Sequence, residues 1–409
     1  MSHIPALRTE LDASPLSAYL GPLVALRRDL HAHPELKFEE HRTADRIAAY
    51  LKALGVPIHR GLGGTGIVAT IAGKGSAFGS SSRAIGIRAD MDALPIQEMN
   101  VFDHRSQSDG RMHACGHDGH TAMLLGAATL LAQRPEFDGT VHLIFQPGEE
   151  GGAGARLMME EGLFTMFPCE AVFALHNWPA LPAGEMGVRV GPIMASANRF
   201  EIRVHGRGGH AALPHTTVDP IPVACAIVGQ LQSLVSRGTD PLDSAVLTVG
   251  KIEAGTIENI IPDEAAIYGT CRTLSPQTLK RMLEGIERVA THVAAAHEAR
   301  VTILWKPGYP STCNSHHEAR FMGEVMRELV GEKHAHPDVM PAMTAEDFGF
   351  MLEQIPGAYG FIGNGANGKP GVTLHSPSYD FNDDNIALGA RFWERLVHRW
   401  FATSHKETP

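Results

Sequence analysis

Apolar residues recur every three to four positions from Leu16 to Leu30 and again from Glu39 to Leu54, where Ile47, Ala48, Leu51 and Leu54 share one face. That spacing predicts two helices, the first stopped before Pro34 and the second by Gly55. Then the period shortens. Gly66–Ile71, Ala84–Arg88, Val141–Phe145 and Ala171–Leu175 are short apolar or β-branched runs bounded by Gly, Pro or Asp, the pattern of strands. Thr121–Gln133 and Ala153–Leu163 fall between successive runs and read as helices. Strand and helix alternate as they do in an α/β sheet covered by helices.

From about Gly187 the rhythm changes. A strand at Phe200–Val204 precedes a helix over Pro220–Arg237, then strands at Ala245–Lys251 and Glu264–Arg272, a helix over Ser275–Ala299 and a strand at Val301–Trp305. This βαββαβ order matches the ferredoxin-like split motif and could stand as its own domain. After Pro307 the mixed pattern returns, with a strand at Tyr359–Gly363 and a closing helix over Asn385–Trp400. The organisation expected is one α/β domain built from residues 1–187 and 306–409, with a second domain inserted at 188–305. Gly73–Ser82 reads as a flexible loop, and no internal repeat is visible.

Composition narrows the setting. A length of 409 residues suits two or three domains at about 150 residues each. The net charge of −10 argues against a nucleic-acid partner or an anionic membrane surface. No apolar run approaches the ~20 residues of a membrane span, and the opening MSHIPALRTELDAS lacks a signal-peptide core. The five cysteines are scattered and form no C-x-x-C pair, which favours a reducing, cytoplasmic location over a disulfide scaffold. Histidine is the outlier: 23 of them, more than Tyr (6) and Phe (16) together, which prompts a search for metal ligands.

Polar clusters fall where strands end. Asp90 and Asp92 follow one strand, Glu149 and Glu150 another, and His176 a third. Ligands of open α/β sheets bind outside the carboxyl ends of the strands, so these groups point to one site. Between them lies His113-Ala-Cys115-Gly-His117-Asp-Gly-His120, just before the Thr121 helix. A cysteine and a histidine two apart can reach one ion, and thiolate with imidazole favours a transition metal. The plain alternative is a solvated loop with Cys115 as a small buried filler. Glu149-Glu150 is either a solvated acidic turn or a ligand beside a free general base; Gly151, Gly152 and Gly154, which keep the turn open, favour the second. His210 sits in a glycine-rich loop, and Asn259 and Arg272 lie at strand boundaries of the inserted domain. Singly, each would more often be structural or a surface group.

Together the motifs resemble the M20 metallopeptidase superfamily, in its amidohydrolase branch with the hippurate hydrolases and indole-3-acetyl-amino-acid hydrolases. The matching pieces are Arg28-Asp-Leu-His-Ala-His-Pro-Glu35, Arg88-Ala-Asp-Met-Asp-Ala-Leu-Pro95, Met112-His-Ala-Cys-Gly-His-Asp-Gly-His120, Phe145-Gln-Pro-Gly-Glu-Glu150 and Ala174-Leu-His176. Further along come Gly208-Gly-His-Ala-Ala212, Asn259-Ile-Ile-Pro262, Ala345-Glu-Asp-Phe348 and Leu374-His-Ser-Pro377. The resemblance implies a catalytic α/β domain with a ferredoxin-like lid or dimerisation domain, and two divalent metal ions per subunit. It implies Cys115, His117 and His176 around one ion and Cys115, Glu150 and His375 around the other, with Glu149 as general base. Asp92 would orient a ligand histidine, and Asp90 stands where other branches carry a ligand His. His210 would stabilise the oxyanion, and Asn259 and Arg272 would take the substrate carboxylate. Such donors favour Zn2+ or Mn2+ and admit Co2+ or Ni2+. The activity implied is hydrolysis of N-acyl amino acids by a homodimer or higher homo-oligomer. A di- or exopeptidase of the same superfamily, and a catalytically inactive metal-binding protein, are the alternatives.

Overall fold

The computed structural model describes residues 16–74, 83–365 and 372–402; the Gly73–Ser82 loop expected from sequence, from position 75 on, and the first fifteen residues lie outside them. The chain forms two compact units: one takes the chain up to Gly191 with Cys313–Met340 and everything from Phe350, the other Pro192–Thr312 with Pro341–Gly349.

The larger unit is built on an eight-stranded sheet. Its order is Ile58–Leu62, Gly66–Ala72, Thr140–Gln146, Ala84–Asp90, Ala171–Trp178, Gly357–Gly363, Met186–Gly187, Ala335–His336. The four middle strands, from Thr140–Gln146 to Gly357–Gly363, run parallel, and antiparallel strands flank them. Ala84–Asp90 is buried along its whole length, which explains its continuous rather than alternating apolar pattern. The helix His117–Gln133 is buried from His117 to Leu131 and packs against the helices Asp384–Ala402 and Ser17–Ala32. A helix enclosed on all sides must be apolar all round, so the amphipathic stripe is missing from its sequence. Glu35 closes the start of the helix His41–Ala53, accepting from the backbone N–H of Arg42 at 3.0 Å and of Thr43 at 2.8 Å.

The smaller unit carries the antiparallel sheet Ala245–Ala254, Glu264–Thr273, Asn198–His205, Arg300–Pro307, with the helices Pro220–Ser236 and Pro276–Ala296. Numbered along the chain, that order is 2-3-1-4, the ferredoxin-like arrangement. Phe200, Ile202, Val204, Ile227, Leu231, Ile267 and Ile286 form its core. No helix among the described residues is long and apolar enough to cross a membrane.

His142, on the strand Thr140–Gln146, faces Thr70 Oγ1 at 3.0 Å and the edge of the Phe167 ring. Burial lowers it from 6.5 to about 4. Between those values the unfolded chain binds a proton that folded His142 refuses. Its contribution is therefore complete above pH 6.5 and is lost as pH falls toward 4. Thermal denaturation across this window should show a shallower acid loss in His142→Leu than in the parent; parallel slopes would remove His142 as the cause.

Candidate metal centre

Three strand ends and one helix start deliver the site. Gly116, at φ 90°, turns the chain so that the helix begins at His117, four residues earlier than the apolar pattern predicts. His117 and His120 thus stand on its first turn. Polar residues broke the apolar periodicity there without breaking the helix. Likewise Asp90 and His176 lie within their strands, Ala84–Asp90 and Ala171–Trp178, rather than after them. The segment expected as one helix over Ala153–Leu163 is instead a helix at Gly154–Glu160 preceded by a kinked turn, Glu149–Gly152, with Gly148 at φ 64° and Gly151 at φ 74°. Gly154 lies against the carbonyl of Pro147, where a Cβ has no room.

The ligand atoms of Cys115, His117 and His176 all lie within 4.8 Å of one another, and so do those of Cys115, Glu150 and His375. Cys115 belongs to both groups. Its Sγ is 3.4 Å from His176 Nε2, and Glu150 Oε1 is 3.1 Å from His375 Nε2. Both ring nitrogens of His117 and Oε1 of Glu150 are buried without hydrogen-bond geometry to any described residue. Donor atoms of these types that converge in one buried cluster fit a cation, and a thiol, three imidazoles and a carboxylate suit a transition metal. Glu149 lies within the same 4.8 Å span of His117 and Glu150. His120 is differently committed. Its Nδ1 pairs with Asp90 Oδ1 at 2.6 Å, and its Nε2 accepts the backbone N–H of Asn177 at 3.0 Å.

His210, Asn259 and Arg272 belong to the smaller unit. His210 pairs with Ile260 in a two-stranded ladder, and the Ala211 N–H donates to the carbonyl of Asn259 at 3.1 Å, so the His210 loop and Asn259 are neighbours. Arg272 lies apart from them on the strand Glu264–Thr273. Burial lowers Arg272 from its usual range and the charge of nearby Arg199 lowers it further. Neither arginine has a carboxylate at ion-pair distance among the described residues. The sequence reading did not single out Arg199.

A family model for peptidase family M20/M25/M40 matches residues 86–399. The chain belongs to that family. Within it, the chain is 40% identical over 380 residues to a hippurate hydrolase of Campylobacter jejuni, covering 93% of this chain and 97% of the relative. It is 40% identical over 386 residues to an N-acetylcysteine deacetylase of Bacillus subtilis, covering 93% and 97%. The solved YXEP protein of Bacillus subtilis, described as a dinuclear metal binding peptidase from the M20 family, superposes with a TM-score of 0.82 at 35% identity, over 95% of this chain and 100% of that one.

In this M20 chain the electrostatics of the cluster follow from burial. Burial raises the Cys115 thiol well above its usual range, and Glu150, Glu149 and Asp90 raise it further. Burial opposes a charge on His117, but Asp90, Asp92 and Glu150 outweigh it and lift the ring to about 10. Burial also keeps His176 well below the usual imidazole range, so it is neutral. Asp92 accepts the backbone N–H of Glu149 at 3.0 Å and of Glu150 at 2.9 Å, and its Oδ1 lies 3.4 Å from His117 Nδ1. Glu40, buried and raised by that burial, accepts from the N–H of Gly148 at 2.9 Å and from Thr65. Sequence reasoning missed Glu40, and also Asn177 and Tyr379. Of these, Asn177, next to His176 on the strand, and Tyr379, shortly after His375, lay close to residues already singled out.

The metal-free cluster therefore carries a proton on Cys115 and one on His117 at neutral pH. Ligation needs both atoms bare, so cation binding should release protons. Calorimetric titration of metal-free protein with Zn2+, in buffers of differing ionisation enthalpy, should count about one proton fewer for Cys115→Ser. An unchanged count would exclude Cys115 as a ligand.

Proposed function

We propose that the protein hydrolyses the amide bond of N-acyl amino acids, giving a carboxylic acid and a free amino acid. Cys115, His117 and His176 would hold one divalent ion, and Cys115, Glu150 and His375 a second. The observation that carries this reading is the convergence of those donor atoms beside Glu149, at the ends of parallel strands and the start of a buried helix. Relatives that match nearly their whole length are named for hydrolysis of acylated amino acids, among them hippurate hydrolase and N-acetylcysteine deacetylase. When bound, such ions acidify water and polarise a carbonyl. Glu149 is the group that takes the proton from the attacking water and returns it to the leaving nitrogen. The kinked turn aims it, and Asp92 holds that turn through two backbone amides.

His210 is assigned to the oxyanion, with Asn259 and Arg272 on the substrate carboxylate. Support comes from the exposure of His210, its ladder contact beside Asn259, and the absence of a carboxylate partner for Arg272 among the described residues. Zn2+ or Mn2+ is the favoured metal; Co2+ and Ni2+ also suit these donors. We assign the protein to the cytoplasm, since all five cysteines are free, and to a homodimer or higher homo-oligomer. The family's peptidase members give the second reading, cleavage of dipeptides.

The deciding experiment compares N-acetyl and N-benzoyl amino acids with dipeptides. Acyl amino acids should turn over faster, with activity removed by chelator and restored by metal. Glu149→Gln should lose about 10²–10⁴ in kcat while metal content stays normal. Preference for dipeptides would establish a peptidase. No turnover of either class by metal-loaded protein would leave a binding protein.

A further inference from the structure

Asn177 and Tyr379 have no role in the reaction outlined above, yet both are buried, at 0% and 1% exposure, beneath the metal-ligand cluster. Every polar group of Asn177 is committed. Its carbonyl accepts from His176 Nδ1 at 2.6 Å, and its backbone N–H donates to His120 Nε2 at 3.0 Å. Its side-chain Nδ2 lies 2.6 Å from the carbonyl of Cys115 and 3.0 Å from His120 Nε2, and its Oδ1 accepts from the Tyr379 hydroxyl at 2.5 Å. The amide can point only one way, because the Cys115 carbonyl requires a donor.

Tyr379 in turn lies on the loop that carries His375. Its N–H donates to the carbonyl of Ser376 at 3.0 Å, and its carbonyl accepts from Asn100 Nδ2 at 2.8 Å. His375 has the left-handed φ of 63°, and its N–H donates to the carbonyl of Ala114 at 2.8 Å. Such a conformation in a non-glycine residue persists only where its surroundings enforce it. Gly116 completes the arrangement: a Cβ there would overlap both Asn177 Nδ2 and the Tyr379 hydroxyl.

We infer that the Asn177–Tyr379 pair is a clasp that positions the metal centre, drawing the separate segments of Cys115, His176 and His375 together. The inference rests on the reading of those three residues as ligands. Because His176 Nδ1 is occupied by the Asn177 carbonyl, only Nε2 is left to face Cys115 Sγ. Cys115 is held from behind through its own carbonyl, which fixes the backbone from which its thiol projects. The hydroxyl of Tyr379 locks the amide that does this. Asn177 and Tyr379 touch no ligand atom; they act through the backbone and the rings of their neighbours.

The test is a cobalt titration of metal-free protein, reading affinity and the absorption band that arises when a thiolate binds Co2+. Tyr379→Phe removes only the hydroxyl, and Asn177→Ala removes the side-chain bonds to the Cys115 carbonyl and to Tyr379 while its backbone carbonyl still meets His176. Both should bind Co2+ roughly 10- to 100-fold more weakly, with the thiolate band weakened or displaced. Tyr50→Phe is the control, because Tyr50 makes a comparable hydrogen bond, to Thr129 Oγ1 at 2.9 Å, elsewhere in the same unit. It should leave affinity and band at parental values. Parental affinity and band in Tyr379→Phe would overturn the clasp, as would an equal loss in Tyr50→Phe. If Asn177→Ala does not fold, Tyr379→Phe alone decides. Cys115→Ser distinguishes the two levels of failure: a thiolate band that survives in it overturns the ligand reading itself.

Discussion

Asp92 is a single buried carboxylate that accepts the backbone N–H groups of Glu149 and Glu150 and abuts the ring of His117. It joins the turn after the strand Thr140–Gln146 to the helix that follows Gly116, two elements remote in sequence. A turn rich in glycine would otherwise sample many conformations, and ordering each of its residues has an entropic cost. Two charge-assisted bonds from one carboxylate narrow that choice. Glu40 acts on the same turn from the other side, through Gly148. The aim of Glu149 is thus set by two carboxylates that are themselves anchored.

Assembling so many acidic groups away from water is costly unless cations or protons answer them. Below the cluster the answer is built in. Arg27, with 0% exposure, lies 3.0 Å from Asp118, 2.5 Å from Asp380 and 3.4 Å from Asp383, and His31 bridges Asp118 and Glu98 at 2.9 and 3.2 Å. Arg88 meets Asp90 at 2.7 Å in the same way. Glu150 and Cys115 face imidazoles rather than guanidinium groups: His375 Nε2 at 3.1 Å and His176 Nε2 at 3.4 Å. Beside them both ring nitrogens of His117 lack a hydrogen-bond partner among the described residues, and burial pushes the Cys115 thiol toward its protonated form. The contrast separates carboxylates paired with arginine inside the fold from donor groups gathered around a common centre.

This contrast also explains what could be read from sequence. Strand runs such as Ala84–Arg88 and Ala171–Leu175 were legible because burial on both faces imposes an unbroken apolar stretch. The βαββαβ order of the smaller unit was legible because its strands and helices differ in period. The start of the helix at His117 was not: buried polar residues at His117–His120 interrupt the pattern that marks a helix. Residues at strand ends were visible as chemistry, since position and residue type both pointed to a site. Asn177 and Tyr379 were not, since an amide beside a ligand and a tyrosine after a proline turn look ordinary. Their roles come from contacts 202 residues apart in sequence, which no local pattern encodes.

The two donor sets that share Cys115 are not equivalent toward water. His117 and Asp92 have no exposed side-chain surface, whereas the His375 side chain is 52% exposed and that of Glu150 14%. Low dielectric strengthens electrostatic interactions at the first set and makes any vacancy or proton there harder to accommodate. The second set opens to solvent, so its groups can rearrange and rehydrate at lower cost. A site meant to admit a substrate must keep one side open, and one meant to hold its geometry must keep the other closed. Here the division runs through Cys115, whose thiol serves both sets while its backbone is tied by Asn177. That tie holds the backbone from which a single sulfur reaches the boundary between a closed half and an open one.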